Sequence, residues 1–283
     1  MPVVGPGNLG ERTIAPEVAK QLLAPGEAMA TRRLLAGIAP EIDAVSWHFY
    51  GGVSPRCQGG RGIDASEAAL SDAWLDLTRV EWAYVRGMRD ALASDKPMWL
   101  TETAQAACGR SPWASGLRDT FRCLDQLGLL ARRDVQVVMH NTLAASEYGL
   151  IDQDTLEPRP NYWGAVLWQR LMGPVVLDAS AVAEDARVYA HCLPQMDGGV
   201  GLMAINNSPA PMRLAVRGGG QSWLLQSDDF DAETLTVNGS VPAMAEDGAI
   251  MNLAGRAFVG ELELPGQSIA FLTLPEVENP AWR

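Results

Sequence analysis

Met98-Trp99-Leu100-Thr101-Glu102-Thr103, entered after Lys96-Pro97, is the stretch on which the fold of this chain turns. Its apolar and β-branched residues predict a short strand buried on both faces, and its single carboxylate falls where that strand runs out into a loop. In barrel enzymes the edge formed by such strand ends carries the chemistry. A glutamate in this place serves equally well as a helix cap or as the partner of a surface arginine, so the stretch alone leaves its role open.

Working outward, Ile42 to Tyr50 alternates into a strand that ends on Trp47-His48-Phe49-Tyr50, and Val135 to Met139 forms another that ends on His140-Asn141-Thr142. Pro2-Val3-Val4 reads as the remnant of a further strand. Helices are expected over 16–37, 65–93, 113–130 and 162–171, and in the second of these Trp74, Leu77, Val80, Tyr84, Met88 and Leu92 are taken as the core face. Strands that alternate with helices make a parallel sheet, as a barrel or a doubly wound fold. After Gly173-Pro174 the pattern changes to short apolar runs separated by turns, at 188–191, 201–205, 214–216, 222–225, 235–237 and 268–272, with Asn238-Gly239 as a hairpin signal. That pattern predicts an antiparallel β domain, most simply a sandwich.

Composition excludes several classes. Hydrophobic residues make up 47% and charged residues 20% of the 283, which suits a globular chain. No apolar run approaches the roughly 18 residues of a membrane span, so no membrane partner is expected. A net charge of -12 disfavours nucleic acid and favours a small or weakly charged ligand. No signal peptide is visible at Met1-Pro2-Val3-Val4-Gly5, which leaves the compartment unread. Gly5-Pro6-Gly7-Asn8-Leu9-Gly10 matches the dinucleotide fingerprint only formally, because no full strand precedes it and no helix opens on its glycines. The histidines His48, His140 and His191 form no metal motif, and no nucleophile elbow occurs, so neither metal nor cofactor is expected. Cys57 and Cys108 both lie in loops after strands, where a bridge and unbridged thiols are both open. Asn206-Asn207-Ser208 and Asn238-Gly239-Ser240 match glycosylation sequons but are read as turns, and two lysines against twenty arginines suggest a bacterial source.

Several of these motifs, taken in order, carry a resemblance. Trp47-His48-Phe49-Tyr50, Trp99 to Thr103, Asp125 to Leu129 with Val137-Val138-Met139, Tyr148-Gly149-Leu150-Ile151-Asp152, Pro160-Asn161-Tyr162-Trp163 and Val188-Tyr189-Ala190-His191-Cys192 resemble glycoside hydrolase family 79. That family holds the heparanases and β-glucuronidases. The resemblance implies a retaining β-glycosidase with a (β/α)8 barrel and a β-sandwich. Residues 1–173 would be the second half of the barrel, strands five to eight, and residues 174–283 the sandwich. The fold class is therefore α/β plus all-β.

The family's nucleophile lies at the end of the seventh barrel strand in a W-L-x-E-T context, which falls on Glu102. His48 and Tyr50 resemble the H-x-Y pair of strand six, which could bond the nucleophile or the sugar. Asn141 occupies a polar position of strand eight. Tyr148 and Gly149 resemble a loop that holds a uronate carboxylate through a phenol and backbone N–H groups. A retaining enzyme needs a second, protonated carboxyl about 5 to 5.5 Å from the nucleophile. In this family it follows an asparagine at the end of strand four. This sequence has no Asn-Glu-Pro, since Glu278-Asn279-Pro280 reverses the order. The expected substrate is a β-glucuronide or similar carbohydrate. The expected partner is a missing N-terminal barrel half, or a self-association that covers the open edge. Two alternatives stand beside this reading: a non-catalytic carbohydrate-binding or assembly module, and a related barrel glycosidase acting on xylosides or arabinofuranosides.

Overall fold

A computed structural model describes residues 1–9, 30–54, 56, 68–109, 111–179, 187–194, 196–275 and 277. Strands β1 (Val4–Leu9), β2 (Ala44–Val53), β3 (Met98–Ala107) and β4 (Val135–His140) hydrogen-bond in that order as a parallel four-stranded sheet. β2, β3 and β4 grow from the apolar runs that predict them, whereas β1 shares only Val4 with its expected run and continues through the glycine-rich stretch to Leu9. Gly5 pairs with Val45 of β2 and Gly7 is skipped where the register shifts between Pro6 and Asn8, so both glycines belong to a strand and not to a turn that follows one. The opening strand is buried on one face more than the other: Met98 and Leu100 are buried, whereas Trp99, Thr101 and Glu102 are half-buried.

Three helices belong to this part: α1 (Thr31–Ile38), α2 (Asp72–Leu75) and α3 (Leu77–Leu92). Most of the helix expected over 16–37 lies outside the described residues. Ser71 caps α2 by accepting the Trp74 N–H at 3.2 Å. The core face chosen for α3 needs correction, because Val80 and Tyr84 are each 37% exposed. The face that is buried carries Thr78, Glu81, Val85 and Met88. It runs one residue off the apparent apolar stripe, and its polar Thr78 and Glu81 conceal it from a reading by hydrophobicity.

Two further helices, α4 (Leu117–Ala131) and α5 (Pro160–Leu171), precede an antiparallel region. It contains β5 (Val176–Leu177), β6 (Arg187–Cys192), β7 (Val200–Asn206), β8 (Met212–Gln226), β9 (Thr236–Val237), β10 (Ala243–Met244), β11 (Ile250–Met251), β12 (Arg256–Leu264) and β13 (Ser268–Leu274). Hydrogen bonding joins β12-β8-β13-β7-β6-β5, with β9 on β8, into one seven-stranded sheet. The two sheets of a sandwich are not separate here. β8 pairs with β12 from Met212 to Ser222 and with β13 from Gln221 to Leu225, so the runs read as two strands at 214–216 and 222–225 are two ends of one. Asn238 and Gly239 turn β9 with φ of 53° and 84°, as the hairpin signal requires.

By compactness, Met1–Ala114 with Leu129–Gly149 forms one unit and Ser115–Gly128 with Leu150–Arg283 a second. The second unit has a polar interior within its apolar one. On α4, Leu117, Phe121 and Leu124 are fully buried, and so are Asp119, Arg122 and Asp125. Each charge is paired: Arg122 grips Asp119 through two N–H groups at 2.5 and 3.0 Å, and Asp125 accepts from Tyr189 Oη at 2.6 Å and Arg187 Nη1 at 2.9 Å. Gly128 lets the Tyr189 ring lie on the helix, for a Cβ there would stand 2.3 Å from Tyr189 Cγ. The motifs at 125–129 and 188–192 thus meet in space.

Cys108 is disulfide-bonded, and Cys57, for which the sequence leaves a bridge to Cys108 and a free thiol both open, lies outside the described residues. Cys123 and Cys192 are buried thiols. Asn206 Nδ2 donates to Ala210 O and Pro265 O, each at 2.9 Å, and Asn238 Nδ2 to Ser222 O at 2.8 Å. Both sequon amides are therefore occupied with turn geometry. Among the described residues no helix is long and apolar enough to cross a membrane.

Candidate active site

β2 presents its side chains alternately, with Trp47 and Phe49 on one face and His48 and Tyr50 on the other. Regular alternation along β3 would put Glu102 on the face of Leu100. A bulge prevents this. Trp47 pairs with Leu100 but His48 pairs with Glu102, and on the other side Val138 pairs with Leu100 but His140 with Thr103. Both ladders slip at Thr101, the extra residue, whose Oγ1 reaches Trp47 O at 3.4 Å. Glu102 is thereby turned onto the face of His48 and Tyr50. The carboxylate is not at the strand end, since β3 continues to Ala107 and β2 to Val53. It is the bulge that re-aims it.

Tyr50 Oη donates to Glu102 Oε1 at 2.5 Å and accepts from Asn141 Nδ2 at 2.8 Å. Burial, and then the hydrogen bond to Glu102, push the Tyr50 phenol above its ordinary range, so it stays protonated and remains a donor. His48 Nδ1 lies 3.6 Å from Glu102 Oε2, an ion pair only when the imidazole is protonated. Gly7 in β1 lies beside that ring and adopts a φ of 65°, a conformation that favours glycine. The Glu102 side chain is 38% exposed, so a solute can reach it. The arrangement is one carboxylate with a fixed orientation, one oxygen held by a phenol and the other beside an imidazole. Chemically it can act as a nucleophile or stabilise positive charge above it.

Four of the residues singled out in sequence, Glu102, His48, Tyr50 and Asn141, therefore form one group. Tyr148 packs beside it, against the cluster of Tyr50, Val53, Ala104 and Ala107. The Gly149 N–H closes a turn onto Ser146 O at 2.8 Å. His140, which precedes Asn141 and carries no expected role, bonds the loop through Nε2 to Tyr148 O at 2.7 Å. Its only sequence signal is its place at the end of β4. Gly7 and Thr101 also went unmarked, because their importance lies in the register between strands. No cluster of three or more metal-ligating side chains occurs among the described residues.

No protein-family model matches the chain. Individual relatives do. Heparanase of Gallus gallus is 33% identical over 253 residues, which cover 82% of this chain and 47% of that protein. The chain belongs with the heparanases and glucuronidases of glycoside hydrolase family 79. Hyaluronoglucuronidase of the leech Hirudo nipponia is 39% identical over 114 residues, 37% of this chain and 22% of that protein. The chain spans about half the length of the heparanases it matches. Relatives from chicken, leech and Arabidopsis thaliana give the expected bacterial source no support. Among solved structures, a 4-O-α-L-rhamnosyl-β-D-glucuronidase from Fusarium oxysporum superposes with a TM-score of 0.63 at 14% identity, covering 85% of this chain and 56% of that one. This likeness is one of fold, to glycoside hydrolase barrels.

Proposed function

We propose that this chain is the nucleophile-bearing part of a retaining β-glycosidase, most like an exo-β-glucuronidase, with Glu102 as the nucleophile. The observation that carries the reading is the bulge that places Glu102 under Tyr50 and beside His48. In the first step a Glu102 oxygen bonds to the anomeric carbon as the C1–O bond breaks, and the leaving oxygen departs with the electron pair. Tyr50 and Asn141 orient the carboxylate, His48 faces its second oxygen, and Tyr148 with the Gly149 loop faces the sugar. The proton for a poor leaving group comes from a carboxylic acid outside these 283 residues. Among the described residues, Glu102 is the one carboxylate in the group it forms with His48, Tyr50 and Asn141.

In this reading residues 1–173 are strands five to eight of a (β/α)8 barrel and residues 174–283 a β-sandwich domain. Among the described residues β1 and β4 are the edges of the parallel sheet, a class of sheet that is otherwise covered. A polypeptide that carries the N-terminal barrel half, with the acid, is the partner that would pair with them; a second copy of this chain is the competing occupant.

The test uses a leaving group that needs no proton. With 2,4-dinitrophenyl β-D-glucuronide and azide, the isolated chain is expected to release dinitrophenolate and form β-glucuronyl azide, while a methyl or disaccharide glucuronide remains uncleaved. Glu102→Gln should abolish both products. Turnover by Glu102→Gln at the parent rate would remove the assignment. A second reading, a non-catalytic sugar-binding module, is favoured by the single carboxylate, and saturable glucuronide binding without any phenolate release would support it.

A further inference from the structure

The second unit contains a cavity of about 360 Å³, at the small end of the range for ligand pockets. None of its lining residues belongs to the group around Glu102. One wall is the turn before α5. Its ends are joined by a bridge between Ile151 and Pro158, and Asp152 Oδ1 holds it by accepting the N–H groups of Asp154 and Thr155 at 2.9 and 2.8 Å. Those bonds, Thr155's first, keep the Asp152 carboxyl below its ordinary range. The opposite wall runs from Glu233 to Leu235 before β9, and Val241-Pro242 follows the Asn238-Gly239 turn.

The lining decides the ligand. Arg159, only 8% exposed, is clasped by Asp152 Oδ2 at 2.7 Å and approached by Glu233 Oε2 at 3.4 Å. With Glu157, three carboxylate residues and one arginine line a single cavity, together with Thr155 and Thr234. A cation would have to take Asp152 and Glu233 from the buried Arg159 guanidinium they pair with, and an anion would meet an excess of carboxylate. An apolar molecule would strip water from all of them. A neutral polyol avoids each penalty, because every hydroxyl both donates and accepts and can bridge a carboxylate to a guanidinium. Pro158, Trp163, Leu235 and Pro242 supply apolar wall for the C–H face of a sugar ring. We infer that this cavity is a second carbohydrate site, for a neutral saccharide, separate from the Glu102 group.

Methyl β-D-glucoside, methyl β-D-glucuronide and methyl β-D-glucosaminide share one ring and differ in charge. Titrated into the 283-residue chain and followed by ligand-observed NMR, the glucoside should bind at least tenfold more tightly than either charged glycoside at this site. Val241→Trp, at a rim position 54% exposed, should fill the cavity and abolish glucoside binding with no change in melting temperature. Glu233→Ala should weaken it at least tenfold, and Glu102→Gln should leave it intact. No saturable glucoside binding, tighter binding of the glucosaminide, or binding that survives Val241→Trp but not Glu102→Gln would each overturn the inference. These outcomes are independent of whether Glu102 is a nucleophile.

Discussion

β4 and β13 are strands of similar length in opposite circumstances. β13 lies between β7 and β8, and all seven of its residues are buried. β4 is the edge of the parallel sheet, with Val135 alone buried and Met139 45% exposed. β1, the other edge, leaves Val4 37% exposed. The antiparallel sheet completes its core from its own chain, whereas among the described residues the sheet that carries Glu102 ends at β1 and β4 with no further strand paired to either. The proposed nucleophile therefore lies in the region with fewer of its strands covered, in a chain that spans about half the length of the heparanases it matches.

Asp125→Ala should break this comparison hardest. It removes the buried carboxylate that accepts from Tyr189 and the half-buried Arg187, and a loss of roughly 3–5 kcal/mol is expected in chemical denaturation. Phe271→Ala, in β13 and fully buried, should cost about the same, roughly 3–5 kcal/mol. Met139→Ala in β4, being exposed, should change stability by less than about 0.5 kcal/mol. Equal losses for Phe271→Ala and Met139→Ala would show that β4 is covered in solution, as it would be in an assembled barrel.

Tyr50→Phe removes one donor from Glu102. A hydrogen bond to a charged group contributes about 1.5–3 kcal/mol, so dinitrophenolate release should slow by roughly tenfold to a hundredfold while the fold persists. An unchanged rate would show that the phenol does not orient the carboxylate.

The smallest effect concerns His191, buried with its Nδ1 at 2.6 Å from Gly173 O. Burial lowers its folded pKa below the ordinary 6.5. The unfolded chain then takes up a proton before the folded one does, so stability is fully present above about pH 6.5 and declines as pH falls below it. His191→Gln should flatten that part of the stability profile by about a kcal/mol or less per pH unit. A profile of unaltered slope would assign the acid sensitivity to other groups.

How much of this was legible in sequence depends on the kind of signal. β2, β3 and β4 were, because short apolar runs bounded by polar loops mark a strand wherever its partners lie, whereas β1 lies mostly in the glycine-rich stretch after its expected run. β12 was not. It is an edge strand with Val259 85% exposed, and Gly260, opposite the register shift in β8, separates Val259 from the short alternation Glu261-Leu262-Glu263-Leu264, which leaves too brief an apolar run to mark it. The α3 core face was misplaced for a related reason, since Glu81 is buried there. At the site, Glu102, His48, Tyr50 and Asn141 were all named through the resemblance, but nothing local to 98–103 says which face the carboxylate takes.

By itself, then, the sequence determined the succession of β/α units, the change to antiparallel strands after Gly173-Pro174, and the residues of the Glu102 group. These depend on local patterns and on motifs whose members lie close in the chain. Only the tertiary structure decided how they are used. The slip at Thr101 exists only in the pairing of β3 with β2 and β4, and the need for glycine at 128 exists only because the Tyr189 ring arrives there from a distant strand. Register and close approach are properties of pairs of segments, and no single stretch contains them.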